Sequence, residues 1–167
     1  MLADYDYFFT SHSYALVEGS DEWFGKKVML QKNLAVFEHQ IRVYYEDTDA
    51  GGIVYYANYL KFLERARTEW LRSMGIEQDG LLERSIGFVV KRVEMDNQAP
   101  AKFNELLRIQ SEIVELKRAS LMFKQTIISP SGQRLVSALI RVACVDLQQM
   151  KPIAIPGFIL EEFSRVG

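Results

Sequence analysis

Residues 36–75 read VFEHQIRVYYEDTDAGGIVYYANYLKFLERARTEWLRSMG, and three different patterns follow one another within them. The opening run, residues 36–45, alternates apolar and polar side chains well enough to predict a strand of about ten residues. An acidic, glycine-rich segment then breaks the alternation, with Glu46, Asp47 and Asp49 ahead of Gly51 and Gly52. Beyond it the period lengthens. Tyr59, Phe62, Leu63, Ala66, Trp70 and Met74 recur at three- and four-residue spacing, which predicts one amphipathic helix over residues 58–74. Asn58 is the expected N-cap and Gly75 the expected C′ stop. Lys61, Glu64, Arg65, Arg67 and Arg72 are assigned to the polar remainder of that helix's surface.

Downstream, a short helical patch is expected at residues 78–84, followed by four strand-like runs at 86–96, 106–116, 120–128 and 134–146. Their joints are Ala99-Pro100, Lys117-Arg118-Ala119 and Ser129-Pro130-Ser131-Gly132, and links this short imply antiparallel pairing. Pro152 and Pro156 then interrupt the chain before a terminal helix near 157–166. One strand, one long helix and four strands make an α+β order. A helix with a single apolar stripe, packed on a curved antiparallel sheet, buries both patterns in one core. Residues 35–167 are read as that domain, and residues 1–34, which hold no sustained period, as an N-terminal extension without an assigned role.

Composition narrows the classes. At 167 residues, 49% hydrophobic and 25% charged, the chain suits one soluble domain with a sizeable core. A net charge of −2 argues against a general nucleic-acid binder. No apolar segment approaches the roughly 18–20 residues that span a bilayer, and the N-terminus lacks the early basic charge of a signal peptide. A cytoplasmic location is the expectation. The single Cys144 excludes an intramolecular disulfide, and with two histidines a Cys/His metal site is not expected. Cys144 lies in an apolar run and reads as a buried structural thiol.

Chemistry concentrates in the turn. A carboxylate beside backbone N–H groups at a helix start can attack, or activate water against, an electrophilic carbonyl while the N–H groups hold the oxyanion. Asp47 and Asp49 are equally eligible on this ground, and both also suit a plain turn, where Asp and Gly are favoured for conformational reasons. The D-x-D spacing would serve a divalent metal too, but Val54 and Tyr55 stand where more oxygen ligands are wanted. A phosphatase nucleophile would want a parallel sheet, which four successive strands oppose.

The segment RVYYEDTDAGGIVYYANYLKFLERAR at residues 42–67 closely resembles the active-site segment of hotdog-fold thioesterases. These are the 4-hydroxybenzoyl-CoA thioesterase type, above all the bacterial acyl-CoA thioesterases encoded beside the Tol-Pal system. The likeness continues through Phe88-Val89-Val90, Ala99-Pro100, Cys144-Val145-Asp146 and Met150-Lys151-Pro152, and covers residues 37–156.

That resemblance implies a hotdog fold, a curved antiparallel sheet wrapped around one long helix, and hydrolysis of an acyl-CoA thioester without a metal or organic cofactor. It implies that Asp49 is the catalytic carboxylate, as nucleophile or general base, and that the backbone N–H of Tyr56 polarises the carbonyl. Many Tol-Pal-associated members carry His where this chain has Tyr56, so an imidazole base is not expected here. Tyr55, Tyr59, Phe62 and Phe88 are candidate pocket residues, although apolar residues at such positions also serve plain cores. Glu64 is a candidate second acid at the site, or part of a solvated helix face. Lys117, Arg118 and Ser120 match a turn that contacts the coenzyme A nucleotide in the benzoyl-CoA relatives, and read otherwise as a solvated basic turn. The resemblance also implies a homodimer, or a homotetramer of two such dimers, with the site at a subunit interface. Two further readings stay open: an acyl carrier protein as the true acyl donor, met by Lys117 and Arg118, and a non-catalytic acyl-thioester-binding protein of the envelope machinery.

Overall fold

The computed structural model describes residues 36–165 together with 22–23 and 26–27. In chain order the elements are β1 (Glu22–Trp23), β2 (Lys26–Lys27), β3 (Phe37–Arg42), a 3-10 turn (Tyr45–Asp47), α1 (Asn58–Ser73), α2 (Gln78–Glu83), β4 (Ile86–Asn97), β5 (Leu106–Leu116), β6 (Ser120–Ile128), β7 (Arg134–Asp146), β8 (Lys151–Pro152) and α3 (Gly157–Arg165). Of the segment expected as an extension, β1 and β2 are described as an antiparallel pair. The rest of residues 1–34, His12 included, lies outside the described residues.

The main sheet runs β3-β5-β6-β7-β4, with β8 added against the end of β7, and every pairing is antiparallel. Strand alternation decides which face is covered. In β6, Leu121, Phe123, Gln125 and Ile127 point inward and are buried, while their neighbours stay half-exposed. In β5, Leu107, Ile109, Ser111 and Ile113 do the same. The curled sheet wraps its buried face around α1, whose Tyr59, Phe62, Leu63, Ala66 and Trp70 complete one continuous core. Phe62 and Leu63 are fully buried, each stabilising the fold by roughly 1.5–3 kcal/mol through removal of apolar surface from water. This architecture is the hotdog fold.

Three expectations are corrected. The first strand stops at Arg42, because the Asp47 carboxylate accepts the Tyr44 N–H at 2.9 Å and draws residues 45–47 into a 3-10 turn. Asn58 is the first helical residue of α1 and not its cap; its side-chain Nδ2 instead donates backward to the Asp47 carbonyl at 2.9 Å. Arg67, assigned to the polar face, is buried at 6% exposure. It sits four residues after Leu63, on the stripe that faces the sheet.

Candidate active site

The segment between β3 and α1 folds into a miniature hairpin. Thr48 and Val54 form an antiparallel bridge, and Ile53 bridges to Lys102 on the far side. The Asp49 amide donates to the Ile53 carbonyl at 2.9 Å and the Gly52 amide to the Asp49 carbonyl at 3.0 Å, closing the tip. Gly52 takes φ of 75°, a left-handed conformation that a side chain would strain. Gly51 fits for a different reason. Its N–H donates to Asp49 Oδ1 at 2.8 Å, and a Cβ there would stand 3.1 Å from that same oxygen.

The two aspartates differ sharply. Asp47 is 1% exposed, and its Oδ2 accepts the Tyr44 N–H while its carbonyl accepts from the Tyr55 amide at 3.0 Å and from the Asn58 side chain. Its Oδ1 is buried without a partner among the described residues. Asp47 therefore ties the base of the hairpin to the helix start. Asp49 sits exposed at the tip, with one carboxylate oxygen on the Gly51 amide and the other directed to no donor among the described residues.

The other arm of the hairpin delivers Tyr55 and Tyr56 to the start of α1. The Asn58 amide bonds the Tyr55 carbonyl at 2.8 Å, whereas the Tyr56 amide donates to no acceptor among the described residues. An unspent N–H at a helix start is the kind of donor an oxyanion takes. The Tyr55 and Tyr56 rings are exposed, 4.8 Å apart between centroids. The Tyr55 phenol is pushed above its ordinary value chiefly by its hydrogen bond with Tyr56. Tyr59 lies elsewhere: it is 3% exposed, and its hydroxyl accepts the Ala101 N–H at 2.9 Å. Burial raises its phenol pKa, against the lowering effect of that bond. Its ring packs the core and anchors residues 101–102 beside the hairpin.

Glu64 stands farther along α1, at the wall of a partly open cavity of about 190 Å³ bounded by α1, α2, the first half of β4, the inward faces of β6 and β7 and Phe163 of α3. Most of the lining is apolar, with Leu81, Phe88, Val90, Leu121, Phe123 and Val142 prominent. Phe88 thus joins the cavity, as expected of it, whereas Phe62 belongs wholly to the core. Arg67 also lines the cavity and pairs with Glu64. Desolvation lowers the Arg67 pKa, and the Glu64 charge acts against that lowering.

Lys117, Arg118 and Ser120 form the β5–β6 turn, and none of them lines the cavity. Lys117 is paired with Glu115 at 2.9 Å, its amide bonds the Ser120 carbonyl at 2.7 Å, and the Arg118 carbonyl accepts the Ile155 N–H at 2.8 Å. Within one chain the structure puts Asp49, Tyr55 and Tyr56 on one hairpin segment, sets Glu64 on the cavity, and keeps the basic turn out of the cavity's lining. Sequence reading passed over Arg67, Gln125 and Ser111. Strand parity marked the last two, since each falls on the inward register of its strand. Cys144 is fully buried, and desolvation raises its thiol to about 11, so it is no nucleophile at neutral pH.

Residues 43–163 match the family model of the thioesterase-like superfamily. The chain belongs to that superfamily. This thioesterase is 48% identical over 131 residues to the acyl-CoA thioesterase YbgC of Haemophilus influenzae, covering 78% of this chain and 96% of that one. It is 44% identical over 133 residues to the acyl-CoA thioester hydrolase YbgC of Escherichia coli O6:H1, covering 80% and 99%. Its fold is that of the 1,4-dihydroxy-2-naphthoyl-CoA thioesterase Slr0204 from Synechocystis, with a TM-score of 0.73 at 22% identity over 78% of this chain and 96% of that one. The protein is a thioester hydrolase.

Proposed function

We propose that this thioesterase hydrolyses acyl-CoA to a free carboxylic acid and coenzyme A, with Asp49 and the Tyr56 backbone N–H as its reacting groups. The observation that carries the reading is the hairpin itself. It spends Asp47 on structure, exposes the Asp49 carboxylate, and ends at a helix-start amide with no acceptor among the described residues. As general base, Asp49 takes a proton from water as the water oxygen adds to the thioester carbon. As nucleophile, it adds directly, and water then cleaves the resulting anhydride. Either way the carbonyl oxygen becomes an oxyanion on the Tyr56 N–H, a contact worth roughly 3–4 kcal/mol in related sites. The C–S bond then breaks and the sulfur leaves with coenzyme A, gaining a proton. A thioester is activated enough for one carboxylate and one donor to suffice.

The acyl group fits the cavity, which lies under the outer edge of β4. That edge has no strand against it among the described residues. A free edge of this length invites a second strand, which supports the expected homodimer, and a copy paired along β4 would cover the open side of the cavity. Coenzyme A phosphates would lie toward Lys117 and Arg118, with Ser120 beside them.

The test is a panel of short, medium, long and aromatic acyl-CoAs followed by released thiol. Hydrolysis is expected, and Asp49→Asn should lower turnover by roughly 10²–10⁴ without changing the fold. Near-full activity in that variant removes Asp49 from the mechanism. Presenting the same acyl chain on acyl carrier protein decides between the two carriers.

A further inference from the structure

Arg67 is an expensive residue where it stands. A guanidinium taken out of water costs several kcal/mol unless its donors are met, and an apolar side chain would fill the same space. Two of its five N–H donors are met, from opposite sides. Arg67 Nη1 donates to Gln125 Oε1 at 2.8 Å. Gln125, itself fully buried, donates through Nε2 to Ser111 Oγ at 2.8 Å and to the Leu63 carbonyl at 3.1 Å. Ser111 and Gln125 are direct cross-strand partners in the β5–β6 register, both on the inward face, and both fully buried. A polar pair has thus been set into the apolar sheet face, directly under α1.

On its other side Arg67 Nη2 donates to Glu64 Oε2, and the guanidinium lies 5.8 Å from the centre of the Phe123 ring. Glu64 is steadied further through Thr68, whose hydroxyl approaches Oε1 at 3.4 Å and accepts the Gln78 side-chain amide at 3.1 Å. Glu64, Arg67 and Gln78 all line the cavity, Glu64 and Gln78 from its exposed rim, so the chain of bonds that begins inside the sheet ends in a polar corner at the mouth of an apolar chamber. Replacing such a network with well-packed apolar residues is commonly neutral or stabilising. Stability alone does not account for it.

We propose that Arg67, held by Gln125 and Ser111, is a positioning residue that fixes the Glu64 carboxylate in the cavity, and that this corner selects acyl groups carrying a hydroxyl over hydrocarbon groups of the same size. A hydroxyl is the group the corner matches: it donates to Glu64 and accepts from Arg67. A hydrocarbon end placed there strips water from both charges and returns nothing. Size agrees with a small acyl group, since a cavity of about 150 Å³ already holds a benzene ring and this one is about 190 Å³. The inference rests on the acyl-CoA reading above.

The test compares kcat/KM for 6-hydroxyhexanoyl-CoA and hexanoyl-CoA. In the native enzyme the hydroxylated substrate should be favoured on the order of tenfold to a hundredfold, the range of a hydrogen bond to a charged group. Glu64→Gln and Arg67→Met should each bring the ratio toward one, and Arg67→Lys should restore part of it. If Arg67→Met fails to fold, the apolar replacement Arg67→Met/Gln125→Met/Ser111→Ala takes its place, with a melting temperature at or above that of the native protein and the same collapsed ratio. A native ratio near one, or a ratio unchanged in the apolar variant, overturns the inference while hydrolysis of both substrates leaves the acyl-CoA reading standing. No hydrolysis of any acyl-CoA in the wider panel overturns both.

Discussion

Asp47 and Asp49 stand two residues apart and meet opposite surroundings, so removing the carboxylate should act on stability at the first and on turnover at the second. Asp47→Ala removes the acceptor for the Tyr44 N–H but also removes a buried oxygen that has no partner among the described residues. The two effects partly offset, and the expected loss is about 1 kcal/mol, near the lower end for a buried hydrogen bond. In a chain of this size that lowers Tm by about 2–4 °C, measurable by scanning calorimetry. Asp49→Asn should leave Tm in place and remove turnover, because the exposed tip makes no contact that the core depends on. Cys144 allows a separate check on burial. With its thiol raised to about 11 and fully enclosed, it should be essentially all protonated at pH 8 and give no colour with a disulfide reagent in the native state. One thiol per chain should appear on denaturation. Early labelling in the native protein would mean that β7 opens far more readily than its packing implies.

Among the elements, α1 depends on a defined stop. Gly75 follows the helix at φ of 75°, and its amide returns to the Arg72 carbonyl at 2.9 Å. An alanine forced into that left-handed conformation costs roughly 1–2 kcal/mol, so Gly75→Ala should lower Tm by several degrees with kcat unchanged. The Met74-Gly75 stop was legible in the sequence because periodicity and glycine agree there. The same holds for β5, β6 and β7, which begin and end where their alternation and turn residues placed them. Two things were not legible at this scale. The end of β3 was hidden because Tyr44 and Tyr45 continue the alternation, and only the three-dimensional reach of Asp47 takes them out of the ladder. Arg67 was misplaced because its charge outweighed its position. A buried arginine needs acceptors from elements distant in sequence, here Gln125 on β6, and a helical pattern by itself cannot supply them. The Asp49 tip was legible as a turn; that Asp47 and not Asp49 is consumed by structure required the fold.

For the molecule as a whole the decisive feature is β4. It is twelve residues long, pairs with β7 alone among the described residues, and carries Val89, Val90 and Val93 at 36%, 48% and 38% exposure. Proteins blunt a free edge of this length with charge, proline or a covering element, since its unpaired N–H and C=O groups invite another strand. Here a break in the register between Val90 and Arg92 bends the strand, and Lys91, Arg92 and Glu94 add charge, but the valines remain bare. A second copy laid antiparallel along this edge would extend the sheet across a two-fold axis, burying the valines and the open side of the cavity in one step. Light scattering at micromolar concentration should therefore report a dimer or a multiple of it. The substitutions Val90→Lys and Val93→Lys together place like charges across the axis, where they repel directly, and should shift the species toward monomer. If the partner's hairpin completes each cavity, acyl-CoA hydrolysis should fall in step with the dimer fraction as protein is diluted, and recover when it is concentrated. A stable monomer that retains native kcat/KM would place the whole reaction within one chain and remove the role proposed for β4.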